Sequence, residues 1–128
     1  MSEAVEYLDL ENLIQVAIVL LGDPPPFRAV WLLGSAAARP QTTVFVDDAY
    51  PDIWTKAAAL LQSVLKNHAL VDGNKRLGWL ATATFLEING IGVTPVPNDA
   101  VYDFVIAVTV GNDDVGEIAQ ALRRLATR

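Results

Sequence analysis

Two stretches with strong helical periodicity, separated by a nine-residue loop, constrain the fold of this chain more than any other feature. Apolar residues recur at helical spacing from Ile53 to Leu65 before the loop, and from Leu77 to Ile88 after it. The loop, residues 68–76, reads His-Ala-Leu-Val-Asp-Gly-Asn-Lys-Arg. We therefore predict two central helices that are joined by a polar loop.

The rest of the chain also favours helices. Asp9 is a suitable N-cap for a first helix that Gly22 closes, and Pro40 should end a second helix over 28–38. Pro51 is predicted in the first turn of the helix before the loop, and Gly90 gives the helix after the loop a left-handed stop. Two more helices are predicted near residues 99–110 and 113–127.

One segment, Thr42 to Val46, is rich in β-branched and aromatic residues and is the single strand candidate. No repeat or linker divides the chain, and 128 residues is the size of one domain. We therefore predict an all-α fold of about six helices, in which residues 1–128 form a single domain with at most a short extended flap.

Composition excludes several classes of function. The chain has no cysteine, which excludes disulfides, thiolate metal sites and a cysteine nucleophile. A net charge of −6 disfavours binding to nucleic acid or to an anionic membrane. The acidic N-terminus is unlike a signal peptide, and the apolar run from Leu13 to Leu21 is too short to span a bilayer. We expect a cytoplasmic protein.

The loop concentrates the chemistry of the chain. His68 is the only histidine, and Lys66, Lys75 and Arg76 are three of only nine cationic residues. We predict that Asn74 caps a helix that starts at Lys75, so that the free N–H groups of its first turn face an anion. Cations in a first turn oppose the helix dipole, and a bound phosphate would reverse that conflict.

The other loop residues fit phosphate chemistry. Asp72 is a hard oxygen ligand of the kind Mg²⁺ accepts, and Gly73 allows close approach of the backbone. His68 can take a proton from an attacking hydroxyl, which indicates transfer of a phosphorus-containing group. A structural explanation competes, because Asp-Gly-Asn is often only a turn, and a lysine or histidine at a helix C-terminus often only complements the dipole.

Residues 68–76 resemble the signature of the Fic/Doc superfamily, H-x-F-x-[D/E]-G-N-x-R, and the Asn-Lys-Arg ending looks like the Doc (death-on-curing) toxin branch. Residues 35–40, 50–51 and 85–90 are similar to Doc-type sequences in content and order. The resemblance implies a Fic-type helical core and a toxin that is paired with an antitoxin. It also implies roles: His68 as general base, Asp72 as the Mg²⁺ ligand, and Gly73, Asn74, Lys75 and Arg76 as the phosphate cradle, to which we add Lys66.

The resemblance also implies a substrate. Adenylylating Fic enzymes usually have glycine and a second arginine where this chain has Lys75 and Trp79. In Doc the lysine goes with phosphoryl transfer from ATP to a threonine of elongation factor Tu, which stops translation. We therefore predict an ATP- and Mg²⁺-dependent protein Ser/Thr kinase. The alternatives are a Fic-type adenylyltransferase that transfers AMP, and a catalytically silent Fic-fold module that binds nucleotide or a partner.

Other positions concern regulation and docking. The aromatic residue of the family motif is Leu70 here, which we expect to fill the core in its place. The chain lacks the inhibitory [ST]-x-x-x-E-[GN] pattern, so inhibition should come from a separate, Phd-like antitoxin. Its helical segment would need apolar anchors, for which Trp31, Leu32 and Leu33 are candidates, although they suit the core equally well. Thr43, Val44 and Phe45 are candidates for target docking by β-addition, or they form a plain surface loop.

Overall fold

The computed structural model describes residues 4–127, and these form six α-helices and one small hairpin. This confirms the predicted all-α fold with a short flap. The elements in chain order are α1 (Leu10–Leu21), α2 (Val30–Ala38), a 3₁₀ turn (Arg39–Gln41), β1 (Thr43–Val44), β2 (Asp47–Asp48), α3 (Ile53–Asn67), α4 (Asn74–Ile88), α5 (Asn98–Val110) and α6 (Val115–Ala126).

Helix α1 begins and ends where the sequence predicts. The Asp9 carboxylate accepts a hydrogen bond from the backbone N–H of Asn12 at 2.8 Å, and the Asn12 side chain accepts from the backbone N–H of Asp9 at 3.0 Å. Gly22 follows with φ +97° and donates its N–H to the carbonyl of Ile18. Leu13 and Ala17 on this helix are fully buried, so α1 lies against the core along one face.

The starts of α2 and α3 differ from the prediction. Pro51 lies before α3 and not in its first turn, because the Asp52 side chain caps the helix by accepting from the backbone N–H of Thr55 at 2.8 Å. Helix α2 begins at Val30 and not at Arg28, because the N–H groups of Arg28 and Ala29 donate to a distant carbonyl. In both cases a specific hydrogen bond fixes the boundary.

Helix α3 lies at the centre of the helical core and contacts α2, α4, α5 and α6. It approaches α4 closely at Gly78, where an added Cβ would lie 2.9 Å from Cδ2 of Leu65. Phe85 of α4 and Leu60 of α3 are almost fully buried in the same core. This tight pairing holds the C-terminus of α3 and the N-terminus of α4 at fixed positions on either side of the motif loop.

The predicted strand over 42–46 is shorter than expected. Only Thr43–Val44 is extended, and it pairs with Asp47–Asp48 across a two-residue turn formed by Phe45 and Val46. Below this hairpin, Lys56 is 2% exposed and its Nζ donates to Oδ2 of Asp48 at 3.0 Å. We call residues 43–48 the flap; a buried cation of α3 holds its base while its tip lies in solvent.

Among residues 4–127, no helix is both long and apolar enough to cross a membrane.

Candidate active site

The motif loop and the first turn of α4 line a pocket of about 690 Å³. One wall is the polar loop, and the opposite wall is largely apolar and comes from α4 and α5. The lining residues are Leu20, Leu65, His68, Val71, Asp72, Gly73, Asn74, Lys75, Arg76, Trp79, Leu80, Asn98, Val101, Tyr102, Val105, Ile106 and Thr109.

His68 is the residue that ends α3, and its backbone is left-handed, with φ +54° and ψ +50°. Most residues other than glycine avoid a left-handed backbone, so the surrounding structure must hold the histidine in this conformation. The imidazole is exposed and lines the pocket. The sequence predicted that the helix ends here, but not that the histidine itself makes the turn.

Asn74 is not the N-cap of α4, contrary to the prediction. Gly73 is the N-cap, with φ +93°, and Asn74 is the first residue of the helix. The Asn74 side chain is engaged elsewhere: its Oδ1 accepts from the backbone N–H of Leu70 at 3.1 Å, and its Nδ2 donates to the carbonyl of Leu70 at 2.9 Å. Asn74 therefore braces the loop, and only its backbone N–H is left to meet an anion.

The first turn of α4 has free N–H groups and cations that could hold an anion. In the described residues no side chain caps this helix, so the N–H groups of its first turn lack a side-chain acceptor. Lys75 and Arg76 lie in this turn, are exposed and line the pocket. Within residues 4–127 the only ion pair is Lys56 with Asp48, so neither cation is neutralised by a described carboxylate. Helix N–H groups and two cations thus point to a phosphate site.

Lys66 lies outside this cluster. Its Nζ donates to the carbonyl of Thr109 at 2.8 Å and to that of Gly111 at 2.9 Å, and Lys66 does not line the pocket. The predicted place of Lys66 in the phosphate cradle is therefore not supported by its position. Instead, the lysine satisfies open carbonyls at the C-terminus of α5 and ties that helix to α3.

Asp72 is the only carboxylate among the residues that line the pocket. Its Oδ1 accepts from the backbone N–H of Gly73 at 2.9 Å. No cluster of three or more His, Cys, Asp or Glu side chains suited to a metal occurs in residues 4–127. One carboxylate suits Mg²⁺ only when phosphate oxygens and water complete its shell, so Asp72 fits a metal that arrives with a nucleotide.

The segment before α2 is joined to the motif loop by backbone hydrogen bonds, which were not predicted from the sequence. Arg28 and Ala29 donate their N–H groups to the carbonyl of Ala69 at 2.8 and 3.0 Å, and Val71 donates to the carbonyl of Pro26 at 2.8 Å. The side chain of Leu70 is fully buried between these bonds, which confirms that it fills the core. The three prolines before Phe27 predicted only a corner, because nothing local indicates pairing with a loop forty residues away.

The opposite wall of the pocket is apolar and aromatic. Trp79 packs edge-on against Phe104, with ring centroids 6.3 Å apart and an interplanar angle of 79°. Beside Trp79, Val101, Tyr102 and Val105 of α5 also line the pocket. A pocket with cations and open N–H groups on one wall, and apolar and aromatic side chains on the other, matches the two chemical halves of a nucleotide.

The structure thus brings six predicted residues together, His68, Asp72, Gly73, Asn74, Lys75 and Arg76. It places Lys66 and the flap residues Thr43, Val44 and Phe45 outside the pocket. The Trp79 wall and the Arg28 contact were not predicted, since both depend on long-range packing.

Comparison with known proteins agrees with this geometry. The family model described as Fic/DOC family matches residues 7–86, more than half of the chain. A protein of Mycolicibacterium smegmatis named Toxin Doc is 45% identical over 122 residues, which cover 94% of each chain. The Protein kinase doc of Escherichia phage P1 is 29% identical over 106 residues, covering 83% of this chain and 79% of that protein. The chain therefore belongs to the Fic/Doc family, as its motif indicated.

Proposed function

We propose that this protein is the toxin of a toxin-antitoxin pair and that it phosphorylates a hydroxyl side chain of a translation factor with ATP. The single observation that carries the proposal is the pocket, which holds the only histidine and two cations at an uncapped helix N-terminus. The names of the relatives support it, since one is called a toxin and the other a protein kinase. A factor like elongation factor Tu, modified at a threonine, is the proposed target, and the whole chain, 1–128, acts as one domain.

In this mechanism the imidazole of His68 accepts the proton of the target hydroxyl as its oxygen attacks the γ-phosphorus of ATP. The bond from that phosphorus to the bridging oxygen breaks, and ADP leaves with the bond electrons. Lys75, Arg76 and the N–H groups of the first turn of α4 neutralise charge on the transferred group. Asp72 would hold Mg²⁺, and the bound ion would add positive charge against the phosphates.

Two residues favour phosphoryl over adenylyl transfer. Lys75 stands in the first turn of α4, where adenylylating members of the family have glycine, and it adds a charge and bulk at the cradle. Trp79 stands at the position of their second arginine, and it lines the pocket as part of the apolar wall. The cradle thus lacks one of the cations that an adenylyltransferase uses. Transfer of AMP by the same residues, and a silent module that only binds nucleotide, are the alternatives.

ATP labelled at either the α- or the γ-phosphorus tests the proposal directly. The purified protein is incubated with Mg²⁺, labelled ATP and a translation extract from bacteria. We expect the label to reach a protein of the extract only from the γ position. Label only from the α position would replace the kinase by the adenylyltransferase, and no label from either, with ATP still bound, would favour the silent module.

The cradle predicts opposite outcomes for two cations of the loop region. Arg76→Ala should weaken ATP binding by about tenfold, since it removes one charge-assisted bond to phosphate. Its free energy of unfolding should be unchanged or slightly higher, because a cation that opposes the helix dipole is removed. Lys66→Met should do the reverse: ATP affinity is kept, and the free energy of unfolding falls by about 1 kcal/mol with the loss of two carbonyl contacts.

Isothermal titration with ATP and chemical denaturation measure both quantities. Arg124→Ala is the matched control, because Arg124 is an exposed cation near the end of α6. If Lys66→Met weakens ATP binding as much as Arg76→Ala does, Lys66 belongs to the cradle after all.

We further propose that the flap docks the target chain. Phe45 at its tip is 95% exposed and Val46 is 92% exposed, and the backbone of Phe45 is left-handed with φ +60°. A phenylalanine both strained and exposed contributes little to folding, which suggests a role in binding. Thr43 and Val44 supply the backbone edge for β-addition.

Phe45→Gly tests this docking role, because glycine removes the side chain and accepts the left-handed backbone. We expect the KM for the protein target to rise about tenfold or more with the KM for ATP unchanged, as for loss of an interface anchor. Val110→Ala is the matched control, because Val110 is also an exposed apolar residue and lies on α5, outside the flap. An unchanged KM for the target would assign the flap to a plain loop.

The antitoxin is proposed to be Phd-like and to place a helical segment on an apolar surface of the toxin. Of the three candidate anchors, Trp31 is 69% exposed, whereas Leu33 is fully buried in the core and is excluded from this role. Leu32 is half-buried and packs against the core.

A toxin that acts on a translation factor works in the cytoplasm, which is the proposed location.

A further inference from the structure

The guanidinium of Arg28 holds the backbone of the motif histidine. Its Nε and Nη2 both donate to the carbonyl of His68, at 3.3 and 3.1 Å. The two residues are forty positions apart in the chain, and Arg28 does not line the pocket. The guanidinium thus contacts the backbone of the residue proposed as the base and does not line the pocket.

The imidazole of His68 has no hydrogen-bonded partner of its own among residues 4–127; the side-chain bonds to this residue end on its carbonyl. In many catalytic sites a carboxylate or carbonyl bonded to the second ring nitrogen sets the direction of the imidazole. No residue from 4 to 127 supplies such an orienting group, and the ring is exposed. The position of the ring therefore depends on the backbone that carries it.

That backbone is held in an unfavoured conformation. His68 is left-handed, at the end of α3, where its carbonyl is one of the open acceptors of the helix C-terminus. A two-donor bond from a cation satisfies this carbonyl and opposes relaxation of the peptide to a right-handed turn. Lys66 does not bond to the His68 carbonyl, since its Nζ donates to carbonyls at the end of α5.

We propose that Arg28 is a positioning residue for His68, acting through the His68 carbonyl to keep the imidazole aimed into the pocket. The proposal rests on the function proposed above, in which His68 is the base. The competing explanation is that Arg28 only attaches the start of α2 to the loop. The backbone N–H groups of Arg28 and Ala29 already make that attachment at Ala69, and they remain in any side-chain variant.

The test compares Arg28→Ala and Arg28→Lys in the full chain, by γ-phosphate transfer and by NMR of the single histidine. For Arg28→Ala we expect kcat to fall by about 10- to 100-fold, as for a base displaced by roughly 1 Å, with the KM for ATP unchanged. Arg28→Lys should recover part of kcat, because one cationic donor returns to the carbonyl. Arg124→Ala controls for loss of charge, because Arg124 is exposed on α6 and does not line the pocket.

The NMR arm is independent of transfer activity. A chain with one histidine gives a single imidazole Cε1–H resonance, and we expect Arg28→Ala to move its chemical shift toward that of free histidine. If the Cε1–H chemical shift in Arg28→Ala equals that of the wild type and kcat is unchanged, the proposal is overturned. Parallel losses of kcat, ATP affinity and melting temperature would overturn it as well. If the wild-type protein transfers no phosphate, the function proposed above fails, and the resonance alone decides whether Arg28 holds the ring.

Discussion

Replacing His68 by asparagine should reduce the rate of transfer at least about 100-fold, which is the usual contribution of a general base. The expected loss is in kcat, because in the proposed mechanism His68 acts on the target hydroxyl, while Lys75, Arg76 and the helix N-terminus hold the phosphates. Asparagine is chosen because it tolerates a left-handed backbone better than most residues, and His68 has φ +54°. The variant should therefore stay folded, with a melting temperature close to that of the wild type.

His68→Ala is the informative companion to this variant. The alanine variant also lacks the base and should lose as much activity as the asparagine variant. Alanine at a left-handed position, however, costs about 1 kcal/mol or more of stability. Comparing the two by transfer assay and thermal unfolding separates chemistry from backbone strain. Retained transfer in the asparagine variant would remove His68 from the mechanism. A large drop in its melting temperature would show instead that the imidazole is needed for folding.

The sequence predicted the helices because apolar residues repeat at helical spacing, and burial of that apolar face in the core stabilises a helix. It placed helix ends less well, because an end is set by which side chain finds a particular partner. Asn74 is a good capping residue in general, yet its amide pairs with the backbone of Leu70 and leaves the cap to Gly73. Asp52 caps α3, so Pro51 lies before the helix and not in its first turn as predicted.

The candidate site was predicted as far as it is local. His68, Asp72 and Arg76 lie within nine residues, so their grouping follows from one loop between two helices. The parts that depend on tertiary structure were missed: Trp79 and Tyr102 come together only when α4 packs on α5. Lys66 is near the loop in sequence, but its long side chain turns to the carbonyls of α5, and sequence distance gave no sign of that.

The flap shows how β-propensity misleads over a short segment. The residues from Thr42 to Val46 favour extended structure, yet Phe45 and Val46 form the turn itself. An isolated two-residue pair is not stable on its own propensity. It is held here by bonds outside it: Lys56 donates to Asp48 and to the carbonyl of Tyr50, and Nε of Arg39 donates to the hydroxyl of Tyr50 at 3.0 Å.

Replacing Gly73 by alanine should destabilise the protein more than any other single methyl added to the motif loop. Gly73 has φ +93°, and an added Cβ would lie 2.8 Å from Cδ2 and 2.9 Å from Cδ1 of Leu21. The left-handed backbone costs about 1 to 2 kcal/mol in alanine, and the forced contact adds about 1 to 3 kcal/mol. We expect the free energy of unfolding, from chemical denaturation, to fall by about 2 to 5 kcal/mol.

Gly90→Ala is the matched control, because Gly90 has nearly the same backbone, φ +89°, and nothing within 4 Å of an added Cβ. It should lose only the backbone contribution, so the difference between the two variants measures the contact with Leu21. Adding Leu21→Ala to Gly73→Ala makes room for the new methyl group, and the double variant should lose less than the sum of the single losses. ATP affinity should also fall in Gly73→Ala, because the N-cap of α4 must shift and with it the N–H groups of the first turn. Equal losses at Gly73 and Gly90 would mean that Leu21 yields without cost, and then the close fit of α1 against the motif loop is not what holds the cradle in place.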